Sequence, residues 1–194
     1  MSDLKALSLI AGLVPRGSRV LDLGCGSGEL LALLRKERDC SGYGIEIDPD
    51  HIGTCVRRGV PIIQRNLEEG LAMFKDGSFD VVLQVDTLQH IRHTVQMLAE
   101  TVRVGRIGII AFPNFAHWPH RLSILRGTMP VSPTLPYQWF DTPNIRVGTF
   151  RDFHVLAARC GLEVTEAFGI HAGQRIDLLP NLLASTAVFK VRKS

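Results

Sequence analysis

The stretch Val20-Leu21-Asp22-Leu23-Gly24-Cys25-Gly26-Ser27-Gly28 is a short apolar run that halts at three alternating glycines. Residues 29–38 (ELLALLRKER), rich in leucine and long charged side chains, read as a helix. The glycines therefore fall where a first strand turns into a first helix. Glycine at such a junction turns the chain tightly and brings bare backbone close to a ligand. The G-x-G-x-G spacing departs from the G-x-G-x-x-G of dinucleotide sites, and Asp22 stands two positions before the first glycine. A carboxylate there is a poor neighbour for a pyrophosphate and a good one for a cationic group. Glu46 ends the next β-rich run, where a carboxylate can accept hydrogen bonds from both hydroxyls of a ribose. Together the two acids describe a ligand with a ribose, a positively charged end and no phosphates. S-adenosylmethionine fits that description.

The remainder of the chain alternates in the same manner. Residues 19–23, 41–47, 60–64, 79–84 and 106–112 are short, continuously apolar and β-rich. Between them, residues 29–38, 50–58 (behind the helix-start pair Asp48-Pro49), 67–74 and 93–103 have helical character. Such alternation predicts a largely parallel sheet with helices on both faces. The pattern breaks at about 113–147, which holds six of the ten prolines, both tryptophans and one of the two tyrosines. A stretch that long with little regular structure is commonly a lid or a binding loop, and its aromatics argue against disorder. A helix is predicted again over 150–160, stopped by Gly161, followed by strands over 162–170 and 184–191 that form an antiparallel pair at the sheet edge.

Composition narrows the function classes. A chain of 194 residues with 45% hydrophobic and 21% charged residues is sized for one globular domain spanning 1–194. No apolar run approaches the roughly 20 residues of a membrane-spanning helix. The run 7–14 is broken by Ser8 and Gly12 and lacks a cleavage site, so a secretory signal is not expected. Four scattered cysteines without a C-x-x-C pair suggest reduced thiols and a cytoplasmic protein. A net charge of +3 without any basic block does not call for nucleic acid.

Residues 20–28 resemble motif I of the class I S-adenosylmethionine-dependent methyltransferases, and Gly44-Ile45-Glu46-Ile47-Asp48 is similar to their ribose-binding second-strand motif. The likeness continues through Asn66, Phe79-Asp80-Val81-Val82 and Asp86-Thr87-Leu88-Gln89-His90. More narrowly, the chain resembles the MetW family of bacterial methionine-biosynthesis proteins, nearly end to end. Phe112-Pro113-Asn114-Phe115, His117-Trp118, Met129-Pro130-Val131, Leu135-Pro136-Tyr137 with Trp139, and Asp141-Thr142-Pro143-Asn144-Ile145 carry that likeness. The resemblance implies a Rossmann-like α/β fold with a seven-stranded, mostly parallel sheet, an antiparallel edge strand and helices on both faces. It implies S-adenosylmethionine as cofactor, bound by Asp22, Gly24, Cys25, Gly26, Gly28, Glu46, Ile47, Asn66 and Leu67. It also implies a homoserine O-acyltransferase as partner. Asn66 replaces the acid usual at the adenine edge, but its amide oxygen can still accept from the exocyclic amine. The Asn/Asp-Pro-Pro-Tyr motif of base- and amide-methylating enzymes is absent, and Gln84-Val85-Asp86-Thr87 stands there instead.

Among the remaining polar residues, His90 lies just beyond the fourth strand, at the carboxyl edge where open α/β sheets bind ligands. Imidazole suits a general base for an acceptor that must lose a proton; a surface or helix-capping histidine is the plain alternative. His117 and His120 form H-x-x-H without a third ligand at recognisable spacing, so no metal is expected. Asp86 is either a polar group at the pocket floor or, the plainer reading, a cap for the next helix, and Cys25 is read as a small filler without a redox role. The segment from Trp118 to Trp139 admits three readings: a lid, a docking surface or a packed extension. Two functions follow. One is methyl transfer to a small metabolite of unidentified nature; the other is a non-catalytic, S-adenosylmethionine-sensing partner of the acyltransferase.

Overall fold

The computed structural model describes residues 4–194; Asp3, which precedes the apolar run at the start of the chain, lies outside the described residues. The five parallel-type strands form where the sequence placed them: β1 Arg19–Leu23, β2 Ser41–Glu46, β3 Ile62–Gln64, β4 Phe79–Val85 and β5 Gly105–Pro113. Side chains alternate in direction along a strand, and both directions here are apolar. Val20, Val81, Leu83, Ile109 and Ala111 meet one face, together with Leu7 and Ile10 of helix α1 (Leu4–Gly12) and Leu30 and Leu34 of α2 (Glu29–Arg38). Leu21, Leu23 and Val82 meet the other, against Met97 and Val104 of α4 (Thr94–Val104). Helix α3, Pro49–Arg57, begins as expected: the Asp48 carboxylate accepts from Asp50 N at 2.9 Å and Pro49 occupies the first turn.

The late strands complete the sheet in the order β3-β2-β1-β4-β5-β8-β6-β7. β6 (Leu162–His171) and β8 (Thr186–Lys193) are antiparallel, as expected, but β8 inserts between β5 and β6. An eighth strand, β7 (Gln174–Ile176), joins the expected seven and forms the edge. It turns back from β6 through Ala172 and Gly173, both at positive φ (49° and 73°), the backbone of a two-residue hairpin. Alanine is an uncommon residue for that turn, which hides the hairpin from a sequence reading. Helix α6 (Phe150–Arg159) packs Phe150 and Phe153 on Phe112 of β5 and Phe189 of β8.

Two further expectations need correction. Residues 67–74 form only one 3-10 turn, Leu67–Glu69, because Gly70 at φ 74° leads the chain away extended. The Pro-rich stretch contains a regular helix, α5 (Trp118–Leu125); Pro119 sits in its first turn, where a missing N–H costs nothing. The run at the start of the chain contributes α1, which ends at Gly12. A short helix, α7 (Pro180–Leu183), precedes β8. No helix of the described residues is long and apolar enough to cross a membrane.

Candidate functional site

At the carboxyl ends of β1, β2 and β4 lies a cleft of about 860 Å³. Asp22, Gly24, Cys25, Gly26, Glu46, Ile47, Asn66, Leu67 and His90 all line it. Gly28 does not: it caps α2 at φ 74°, where a Cβ would stand 3.0 Å from Cys55 Sγ, so its contribution is to the turn. Gly24, at φ 69°, has Thr87 Oγ1 where a Cβ would lie (2.8 Å), and that hydroxyl donates to Leu23 O at 2.7 Å. Thr87 thereby clamps the glycine loop onto the end of β4. Gly26 is the complementary case, with φ 53° and open space where its Cβ would be. Of the three loop glycines, Gly26 is the one that leaves bare backbone facing an unfilled volume.

Glu46 is fixed by the backbone around it. Its Oε2 accepts from Gly26 N at 2.9 Å, and its Oε1 accepts from Ile47 N (2.8 Å) and Asp48 N (3.0 Å). A carboxylate has about four acceptor positions, so one remains for a ligand hydroxyl. Asp22 is 3% exposed, and burial, helped by the nearby Glu46 charge, raises its carboxyl to about 7. A buried acid so close to its charge transition gains from a cationic ligand group. Ile47 is 56% exposed at the lip, an apolar surface awaiting cover. Asn66 uses its amide oxygen to cap the turn at Leu67–Glu69, accepting from Glu68 N at 3.0 Å. The second lone pair of that oxygen is what remains for an adenine amine. Burial pushes the Cys25 thiol well above its usual range, and its sulfur fills the space over Gly44.

His90 stands in the turn Leu88–His90, with Nδ1 3.1 Å from Pro143 O. A carbonyl only accepts, so Nδ1 carries the proton and Nε2 keeps its lone pair. Asp86, at φ 54° in the left-handed region, lines the cleft as well. It is the N-cap residue of neither following element, because the position before the next turn belongs to Thr87 and that before α4 to His93.

A second cavity of about 690 Å³ adjoins the first, sharing Asp86, His90, Tyr137 and Pro143 as a common wall. Its roof is the inner side of the Pro-rich segment, including Pro133, Thr134 and Pro136. Two stitches hold the roof down. His120, 1% exposed, donates from Nδ1 to Asn114 O (3.2 Å) and accepts at Nε2 from Ser132 Oγ (2.9 Å), so both ring nitrogens of this member of H-x-x-H are committed. At the other end, Gln89 O accepts from Ile145 N and Arg146 N, each at 3.0 Å. The outer side of the same segment is apolar and exposed: Trp139 and Phe140 are each 70% exposed and pack edge-to-face on one another. Thr87 and the second cavity were not assigned to the site by sequence reasoning, whereas Asp86 does line the cleft as one of its two readings had it. The glycine at position 24 was the one signal that something must press upon the loop.

A family model described as methionine biosynthesis protein MetW matches residues 4–191. The bifunctional methionine biosynthesis protein MetXA/MetW of Rhodopirellula baltica is 37% identical over 193 residues, covering 92% of this chain and 31% of that relative. The chain thus spans about a third of that curated relative's length. A solved S-adenosylmethionine-dependent methyltransferase from Mesorhizobium loti superposes with a TM-score of 0.71 at 14% identity, covering 98% of this chain and 99% of that one. One from Thermotoga maritima, described as a possible histamine N-methyltransferase, reaches 0.70 at 19% identity, covering 98% and 88%. At such identities the likeness carries the class I methyltransferase fold.

Proposed function

The chain belongs to the MetW family of methionine biosynthesis proteins, and from that premise we propose that it binds S-adenosylmethionine in the larger cleft and supports a homoserine O-acyltransferase through the Pro- and Trp-rich segment. The observation that carries the ligand is the pair of carboxylates, Asp22 buried and Glu46 pinned by three amides, on successive strands of one cleft. Asp22 answers a positive charge. Glu46 accepts from one ribose hydroxyl, with Ile47 and Leu67 as apolar walls for a flat ring and Asn66 at its edge. Gly26 leaves room for the ligand to lie against backbone. S-adenosylmethionine, when bound, supplies a methyl group activated on a sulfonium. The bifunctional MetXA/MetW relative supports physical pairing with the acyltransferase, and the exposed Trp139–Phe140 pair is the chemistry that anchors interfaces.

Titration calorimetry with S-adenosylmethionine and S-adenosylhomocysteine tests the cleft, and absence of heat with both overturns the reading. Copurification with the acyltransferase, lost on Trp139→Ser, tests the pairing. A second reading, methyl transfer to a small metabolite, draws on His90, whose free Nε2 lies in the wall common to both cavities. There it can take the proton that an amine or hydroxyl gives up. Transfer of label from the methyl donor to a metabolite extract, abolished by His90→Ala, would favour it. Labelled products that persist in the variant would remove His90 from that role.

A further inference from the structure

Two residues that line the second cavity each carry a buried polar atom without the partner that burial demands. Gln89 is 9% exposed and His117 4%, yet Gln89 Oε1 and His117 Nε2 have no hydrogen-bond partner. Leaving a buried acceptor or donor unpaired costs about 1–3 kcal/mol, so such atoms are rare unless something else satisfies them. The two belong to distant elements: Gln89 to the turn after β4, His117 to the residue that starts α5. Both residues line the same volume.

The surroundings restrict what can satisfy them. Burial, with the neighbouring His171 and His120, brings His117 down to about 4, so its ring is neutral near pH 7. Its ring lies tilted against His171 and edge-on to His120, with centroids 4.8 Å and 5.4 Å away. Asp86 adds a carboxylate, and no lysine or arginine lines the cavity. A wall with an amide oxygen, a carboxylate and the uncharged His117 ring is rich in acceptors and poor in counter-charge for an anion. Five prolines, Ile170, Ala6 and Ala172 belong to the apolar remainder. The volume of about 690 Å³ suits a small metabolite.

We propose that the second cavity binds a small amine or alcohol on a short apolar body, whose N–H or O–H groups pair with Gln89 Oε1 and His117 Nε2. The proposal deepens the preceding reading, on which it rests for its use, because the wall shared with the larger cleft would set such a ligand beside the nucleoside. It excludes carboxylates and phosphorylated compounds as the occupant.

Saturation-transfer NMR with four probes of one chain length tests this: butylamine, 1-butanol, butyrate and butyl phosphate, each with and without S-adenosylhomocysteine. The nucleoside's own affinity, measured on the same samples, reports the larger cleft separately. The amine or the alcohol is expected to bind at least about tenfold more tightly than either anion, and Gln89→Leu and His117→Leu to weaken it about fivefold each. Thr134→Trp, which fills the cavity from its roof, should abolish the signal. Melting temperature separates a binding role from a structural one. Removing an unpaired polar atom leaves the free protein's Tm unchanged or raises it by roughly 2–4 °C, whereas losing a structural contact lowers it. Equal binding of the anions, no binding of the amine and alcohol, probe affinity unmoved in Gln89→Leu, or a Tm lowered by several degrees in both leucine variants would each overturn the proposal.

Discussion

The two cavities stand back to back on the Asp86–His90 turn and are made by opposite means. The larger cleft is assembled from consecutive strand ends of a parallel sheet. Its polar groups are carboxylates with backbone partners, and its shape depends on glycines a few residues apart. The smaller one is roofed by a proline-rich strap and walled in part by imidazoles. A site of the first kind tolerates little change in the residues that touch it. One of the second kind depends on distant struts that keep the roof in place, and its lining can change with less harm to the fold.

The sharpest break of that contrast comes from Glu46→Gln. Its three amide donors would then face a group with half the acceptor capacity, and S-adenosylhomocysteine affinity should fall about 100-fold by calorimetry. An affinity within a factor of three of the parent would mean that the cleft is not organised by this carboxylate. Asn114→Ala probes the struts. Asn114 is fully buried; its amide donates to Ala184 O (2.8 Å) and Asn181 O (3.2 Å) and accepts from Ala116 N and Phe150 N (3.2 Å each), tying β5 to the starts of α5 and α6. The loss should reach about 3 kcal/mol, lowering Tm by roughly 6–12 °C in thermal denaturation.

Asp22 yields a pH dependence in the cleft alone. With its carboxyl near 7 in the folded chain, affinity for a cationic nucleoside should weaken about tenfold from pH 8 to pH 6, and Asp22→Asn should flatten that profile. The free protein moves the other way. The folded value lies above the ordinary 3.8, so this group's contribution is greatest below pH 4 and is lost as pH rises through about 7. Asp22→Asn should therefore raise Tm at pH 8. The smallest effect on stability is expected for Trp139→Ser with Phe140→Ser, within about 0.5 kcal/mol because both side chains are exposed. The same double variant should lose the acyltransferase on a pull-down, separating the outer side of the strap from its inner side.

Most of the sheet was legible because each strand carries its own signature. An apolar run with both side-chain directions buried can be read one strand at a time, as can the Asp48-Pro49 start of α3. The misses share a cause. Pro119 looked like a break and is a first-turn residue, and Ala172-Gly173 adopts a hairpin geometry that its residues do not advertise. In the cleft, nine of the lining residues were named from the sequence, whereas Thr87, whose hydroxyl clamps the loop from across the sheet, was not.

Strand succession, the glycine turn and the two acids of the larger cleft were determined by sequence alone, because steric freedom and side-chain alternation act over a few neighbouring residues. The second cavity was decided by tertiary structure. Its lining runs from Ala6 to Thr186, brought together by the insertion of β8 between β5 and β6, by the β6–β7 hairpin and by the strap stitched over them. Whether a buried polar atom has a partner depends on what packs against it, and for Gln89 and His117 that comes from parts of the chain that only folding makes neighbours.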